Sequence, residues 1–146
     1  MILYRGVSNQ LHERKEGRLI PKESGPFQKP AVYGKAEYGN SFYGNNEKNA
    51  VVEHQLHQAG YATSGISTTP HIERAKYYAT HGGKHASGII YEIDSELCKQ
   101  YEVSIFEVAQ IVPIPSIPED SEFILVAKEF GELPIDIIIN VYEFKT

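Results

Sequence analysis

Cysteine is almost missing from this chain. Cys98 stands alone among 146 residues, so no intrachain disulfide can form and no cysteine-based zinc site can be built. The expected role of that thiol is a small buried or half-buried side chain. Tryptophan is absent and methionine occurs once, at Met1. No apolar run approaches the roughly 20 residues that span a bilayer, which argues against a membrane segment. The opening MILYRGVSN lacks the cationic head and long apolar stretch of a signal peptide. A strand-like ILYRG follows Met1 at once, which fits a domain excised from something longer, with a small free-standing protein as the alternative. Basic residues are scarce in the second part of the chain. Residues 89–146 hold three Lys/Arg against twelve Asp/Glu, a balance of −9, whereas residues 1–88 hold eleven against seven, a balance of +4. The net charge of −5 disfavours broad binding to a nucleic-acid backbone, which wants a basic stripe. The asymmetry itself suits a cleft in which one half grips a phosphate-bearing ligand and the other supplies carboxylates.

What is present fits one domain, residues 1–146, with ordinary globular composition and enough length for a real core. A first strand is expected at Ile2 to Arg5, then a polar stretch punctuated by Gly and Pro to about Pro30. Tyr-Gly recurs at positions 33, 38 and 43, too briefly for a solenoid, and reads as an irregular loop or short strand with exposed aromatic faces, a wall beside a ligand site being its functional alternative. EKNAVVEHQLHQAG reads as a helix with Ala50, Val51, Leu56 and Ala59 inward and Gly60 as its stop. Then comes ISTTPHIERAKYYA, residues 66–79. Thr69 is placed to cap a second helix, with Pro70 at its first position and Ile72, Ala75 and Ala79 on one face. THGGKHASG is a loop. GIIYEID, SEFILVAK and DIIINVYEFK read as strands, and the prolines at 113, 115 and 118 make the intervening segment extended and stiff. Helices early and strands late predict an α+β fold. The expected core is Leu3, Val51, Leu56, Ile66, Ala75, Ile89, Ile90, Ile93, Ile124, Val126, Ile137, Ile139 and Val141.

Three elements carry candidate chemistry. Arg5 ends the first strand, where its planar donor fork can hold a phosphate or ribose oxygen. The hydroxyl row Ser67-Thr68-Thr69 exceeds what one cap needs, and Ser67 can orient a neighbouring carboxylate. Asp120 and Glu122 stand two apart at the entry of an apolar strand, which in an alternating strand points both to one side. Such a pair suits bond cleavage through an oxocarbenium-like state, in which a carboxylate stabilises developing positive charge.

An arginine at the end of the first strand, a Ser-Thr-Thr segment leading to a helix, and two carboxylates one residue apart before a late strand occur here in that order. This resembles the Arg-Ser-Glu class of bacterial mono-ADP-ribosyltransferase toxins, the cholera- and C3-related enzymes, from residue 3 to about 126. The resemblance implies two β-sheets packed roughly across one another, flanking helices and a cleft for NAD as co-substrate, with no metal. It implies that Arg5 binds NAD and braces the site. Ser67 would hold the catalytic Glu122, and Thr68 and Thr69 would complete the motif. Glu122 would bond the nicotinamide ribose 2′-hydroxyl and stabilise the cation as nicotinamide departs. Asp120 would help choose and activate the acceptor. Tyr78 would lie near the nicotinamide, and Lys84 in the THGGKHASG loop would meet a phosphate. Members that modify arginine usually carry Glu two before the catalytic acid, and those that modify Asn, Gln or guanine often carry Gln. Asp120 is acidic but one methylene shorter.

A carboxylate at that position, within an acidic half, favours protein arginine as acceptor over RNA or DNA. The implied partners are an acceptor protein in a target cell and a cognate immunity protein. Action is expected in the cytoplasm of a producing or target cell, after delivery within a larger secreted protein. Three alternatives stay open: an NAD glycohydrolase using water, an ADP-ribosyltransferase acting on nucleic acid, and an inert binding module on the same fold. A metal reading also exists, because His54 and His57 lie three apart on the first helix with His81 and His85 in a loop, but no zinc-enzyme pattern accompanies them.

Overall fold

The structure, a computed structural model, describes residues 1–21, 65–111 and 117–146. The Tyr-Gly stretch, the helix expected over 47–60 with Val51, Leu56, His54 and His57, and Pro113 and Pro115 lie outside the described residues.

The first strand, β1 (Ile2–Val7), runs two residues further than expected and buries Leu3 and Val7. Ser8 then caps α1 (Asn9–Arg14), its hydroxyl accepting the Leu11 N–H at 3.1 Å. A helix therefore occupies the start of the polar stretch that the sequence punctuates with Gly and Pro. β2 (Ile66–Thr68) leads to α2 (Ile72–Ala79), and β3 (Ser87–Asp94) follows it. The Asp94 carboxylate caps α3 (Ser95–Gln100) by accepting the Glu96 N–H at 2.9 Å. β4 (Ser104–Glu107) runs into the short α4 (Val108–Ile111). A 3₁₀ turn at Pro118–Asp120 precedes β5 (Phe123–Val126), and another at Ile135–Ile137 precedes β6 (Ile138–Lys145).

These strands form two three-stranded antiparallel sheets, ordered β1-β3-β6 and β2-β5-β4. The fold is α+β, and among the described residues neither sheet closes into a barrel. Both sheets contribute to one core: Leu3, Tyr91 and Ile93 from the first meet Ile66 and Leu125 from the second. The sheets are also stitched through the backbone. Tyr4 N–H donates to the Thr69 carbonyl at 2.7 Å and Thr69 N–H to the Tyr4 carbonyl at 2.9 Å.

Two glycines set how closely α2 lies on the first sheet. A Cβ on Gly6 would stand 1.8 Å from the Ala75 carbonyl oxygen, and one on Gly88 would stand 2.0 Å from that of Ala79. Only a bare Cα admits the helix backbone at that range. Ala75 and Ala79 fill the contact and are fully buried, with Ile90 beneath them.

Two expectations need correction. Thr69 does not cap α2, and Pro70 is not its first residue. His71 occupies the cap position without a side-chain cap bond, because Thr69 is held extended in its bridge to Tyr4 and the helix can begin only at Ile72. Ile139 and Val141 are not core; they are 49% and 43% exposed. On β6 the other parity turns inward, so Tyr142 and Phe144 pack against the α2 contact. Ile89 is half-buried, and Leu3, Ile66, Ala75, Ile90, Ile93, Ile124, Val126 and Ile137 are buried as expected. Cys98 is fully buried too, and that burial, helped by Asp94, pushes its thiol up to about 11.

Candidate active site

The backbone bridge between Tyr4 and Thr69 brings the end of β1 beside β2. Arg5 follows Tyr4, and its Nη1 donates to the Ser67 carbonyl at 3.0 Å. Burial pulls the Arg5 guanidinium below its ordinary value, while Tyr91 and Glu122 favour its charged form. Across the strand pair, Tyr91 is the residue opposite Arg5, and its phenol meets His12 Nδ1 at 2.6 Å. A cation is thus held at the seam of the two sheets.

The surplus hydroxyls all reach toward the entry of β5. Ser67 Oγ donates to Glu122 Oε2 at 2.5 Å, and Thr68 Oγ1 donates to the Phe123 carbonyl at 2.8 Å. Thr69 Oγ1 donates to the Asp120 carbonyl at 2.6 Å while accepting the His71 N–H at 3.1 Å. Their function in the fold is to clamp residues 120–123 onto β2, with Thr68 opposite Phe123 in the register.

Asp120 and Glu122 do not sit on an alternating strand, contrary to the reading from sequence. Asp120 closes the 3₁₀ turn begun by Pro118, Ser121 takes the left-handed conformation at φ 48°, and β5 starts only at Phe123. The turn sends the two carboxylates to different partners. Glu122 goes to Ser67 on β2. Asp120 goes to α2, where Arg74 Nε donates to its Oδ1 at 2.7 Å and the Tyr78 phenol donates to its Oδ2. Both acids are only 7% exposed. Arg74 is in turn stacked, its guanidinium carbon 4.6 Å from the Tyr77 ring centre and 5.5 Å from that of Tyr78. Burial first, then the bond to Asp120, pushes the Tyr78 phenol up to about 12. The Arg74 guanidinium is raised above its ordinary value, chiefly by its bond to Asp120.

A cavity of about 450 Å³ opens where these elements meet. Arg5, Ser67, Thr68, Thr69, Tyr78 and Asp120 all line it, beside Leu11 and Ile117. Glu122 and Lys84 are not among its lining residues. Glu122 touches the cavity through Ser67, whereas Lys84 lies exposed on the turn after α2. From that turn it is His81, at φ 51°, that reaches the cavity wall. Arg74 has no role in the sequence reading, and His81 enters it only through the metal alternative. A Tyr-Tyr pair three and four residues after an arginine on one helix was the available sign that the cation is packed and not solvated. Among the described residues no group of three or more His, Cys, Asp or Glu could hold a metal ion. Nor is any described helix long and apolar enough to cross a membrane.

Fold and site together define an α+β protein whose two antiparallel sheets meet at a cleft lined by a half-buried arginine and a buried acid, with a second buried acid behind Ser67. The family model described as NarE matches residues 2–125, a span running from β1 into β5, and the chain belongs to the NarE family. No curated protein matches the chain.

Proposed function

We propose that this chain is a mono-ADP-ribosyltransferase that cleaves NAD and transfers ADP-ribose to a macromolecular acceptor, with protein arginine as the acceptor class. The observation that carries the reading is the Ser67–Glu122 hydrogen bond formed beside Arg5 at the wall of one cavity. The cavity suits a dinucleotide: it falls within the roughly 300–1,000 Å³ of ligand pockets, and it offers a fixed cation, hydroxyls, an aromatic ring and a carboxylate.

In the reaction the bond between ribose C1′ and the nicotinamide nitrogen breaks, its electron pair leaves with nicotinamide, and the acceptor's lone pair closes on C1′ as the acceptor loses a proton. Arg5 would meet the phosphates or ribose through its fork, of which the bond to Ser67 uses one donor. Ser67 would fix the Glu122 carboxylate so that its charge is aimed before positive charge develops. Tyr78 offers a ring at the same wall, and Thr68 and Thr69 keep residues 120–123 in place. Lys84, exposed on the turn after α2 and outside the cavity lining, would meet a phosphate only of a ligand that extends beyond the cavity. The reading implies an acceptor protein and a cognate immunity protein as partners, delivery within a longer protein, and action in the cytoplasm of a producing or target cell.

A second reading has its own support. Asp120, the carboxylate expected to attract an acceptor guanidinium, already holds the Arg74 guanidinium and the Tyr78 phenol. That favours water as acceptor, an NAD glycohydrolase. One experiment separates the readings: incubate a cell lysate with the protein and NAD labelled in its ADP-ribose part, separate protein from nucleic acid, and follow nicotinamide release. Label on protein arginine that is lost in Asp120→Asn supports transfer to arginine. Nicotinamide release with label in neither fraction identifies the glycohydrolase, and label confined to nucleic acid overturns the protein acceptor. No release under any acceptor leaves an inert binding module.

A further inference from the structure

We propose that Arg74 is a built-in rival of a guanidinium acceptor for the Asp120 carboxylate and so sets how the site divides its product between transfer and hydrolysis. The inference rests on the reading of the site as an NAD-cleaving transferase, and it adds a specificity-determining residue to it.

Among the described residues lining the cavity, Asp120 is the one carboxylate. Any cationic group that enters is drawn to it, and a guanidinium most of all, because the planar fork matches a carboxylate. That seat is taken from within the chain. Arg74 Nε lies 2.7 Å from Oδ1, the Tyr78 phenol bonds Oδ2, and both donors come from α2. The helix is seated against the first sheet, where Gly6 and Gly88 admit its backbone and the buried Ala75 and Ala79 pack on Ile90. The stacking of Arg74 against Tyr77 and Tyr78 limits the directions in which its side chain can leave. Asp120 is buried, so removing its cation would leave a charge poorly compensated. Arg74 therefore stays until another cation replaces it.

An entering arginine has to displace Arg74, and its apparent affinity falls by the fraction of time that Asp120 is open. Water has no such competitor. Hydrolysis is then the default outcome, and transfer to arginine depends on an acceptor that brings binding energy from elsewhere on its surface. A free alkylguanidine, which brings none, should be a poor acceptor for the wild type and a better one once Arg74 is weakened.

The test uses the purified chain, agmatine as the guanidine probe, and the variants Arg74→Gln and Arg74→Lys. Glutamine can still donate to Asp120 without carrying charge, and lysine keeps the charge but loses the fork. The ratio of ADP-ribosyl-agmatine to free ADP-ribose, both measured in one reaction, should rise at least roughly fivefold in Arg74→Gln. The rise should come through a lower KM for agmatine, and Arg74→Lys should fall between. A ratio that stays constant or declines overturns the proposal. Calorimetric titration of agmatine reads the same competition without turnover. Tighter binding to Arg74→Gln than to wild type supports the rivalry, and equal or weaker binding overturns it. Absence of nicotinamide release by the wild type would count against the proposed transferase alone, since the titration still decides the role of Arg74.

Discussion

Ser67 Oγ lies 2.5 Å from Glu122 Oε2, joining two residues 55 apart in the chain. The bond sits one register step from the pairing of Thr68 with Phe123, whose hydroxyl-to-carbonyl bond holds the same two segments together. The acid is therefore oriented by a strand edge and not by a loop. A carboxylate held this way has little reorganisation left to undergo when positive charge appears beside it.

Glu122→Gln tests the charge while sparing the fold. The amide keeps an oxygen for the Ser67 hydroxyl, so circular dichroism and thermal unfolding should be close to wild type. Nicotinamide release should drop about 10²- to 10³-fold, the usual loss when an aimed electrostatic group is removed. Full turnover in a folded variant would take Glu122 out of the mechanism.

Ser67→Ala and Arg5→Lys should divide turnover from binding. The serine orients an acid, so its loss should act on kcat, by roughly ten- to hundredfold if a hydrogen bond to a charged group contributes about 1.5–3 kcal/mol. The lysine retains charge without the fork, so NAD affinity measured by calorimetry should weaken. It also loses the clamp on the Ser67 carbonyl seen with Arg5 Nη1. Equal NAD affinity in Arg5→Lys would make Arg5 a structural residue only.

Gly6→Ala is expected to be among the most damaging single substitutions in the chain. The new methyl would meet the Ala75 carbonyl oxygen at 1.8 Å, so α2 would have to move off the sheet together with Arg74 and Tyr78. Urea unfolding should show a loss of about 3 kcal/mol, the upper end of ordinary overpacking. Stability within a few tenths of wild type would mean that the helix is not fixed at that contact.

Two side chains carry a pH signature. The Tyr78 phenol is pushed up to about 12, above the unfolded value of about 10. The folded state therefore holds that proton more tightly. Its contribution to stability is complete below the unfolded pKa and is lost as pH rises through the folded one. In a phenolate absorbance titration, Tyr78→Phe should remove amplitude from the last class of tyrosines to ionise; amplitude lost instead from the earliest class would contradict it. Cys98, buried and raised to about 11, should resist a thiol reagent at pH 8 in the native protein and react at once in urea.

Much of the framework was legible in the sequence, for a simple reason. β1, β3, β5 and β6 are marked by runs of Ile, Val, Leu and Tyr, and α2 by Ile72, Ala75 and Ala79 at helical spacing. What escaped were short elements with little hydrophobic pattern: α1, α3, β4 and α4. Two of them announced themselves only through single caps, Ser8 and Asp94. At the site, the hydroxyl row and the acids could be named, but strand alternation misdirected Asp120 because the turn at Pro118 and the left-handed Ser121 intervene. Arg74 was invisible as a partner. The Tyr-Tyr pair after it hints at packing, but its partner is a carboxylate 46 residues away that only the tertiary fold brings to meet it.

The stitch between Tyr4 and Thr69 has a consequence for how the protein is made. Arg5 meets a residue 62 positions later, and Ser67 waits for one 55 positions beyond it. No fragment ending before β5 contains the assembled set. In a nascent chain the first arginine leaves the ribosome long before Ser67, whose carbonyl it meets in the finished fold. Only after Phe123 has emerged can β5 dock on β2 and the cleft take shape. Contacts of such separation close slowly and late in folding. Any catalytic competence would switch on at one moment near the end of translation, and a truncated product would be inert from the start.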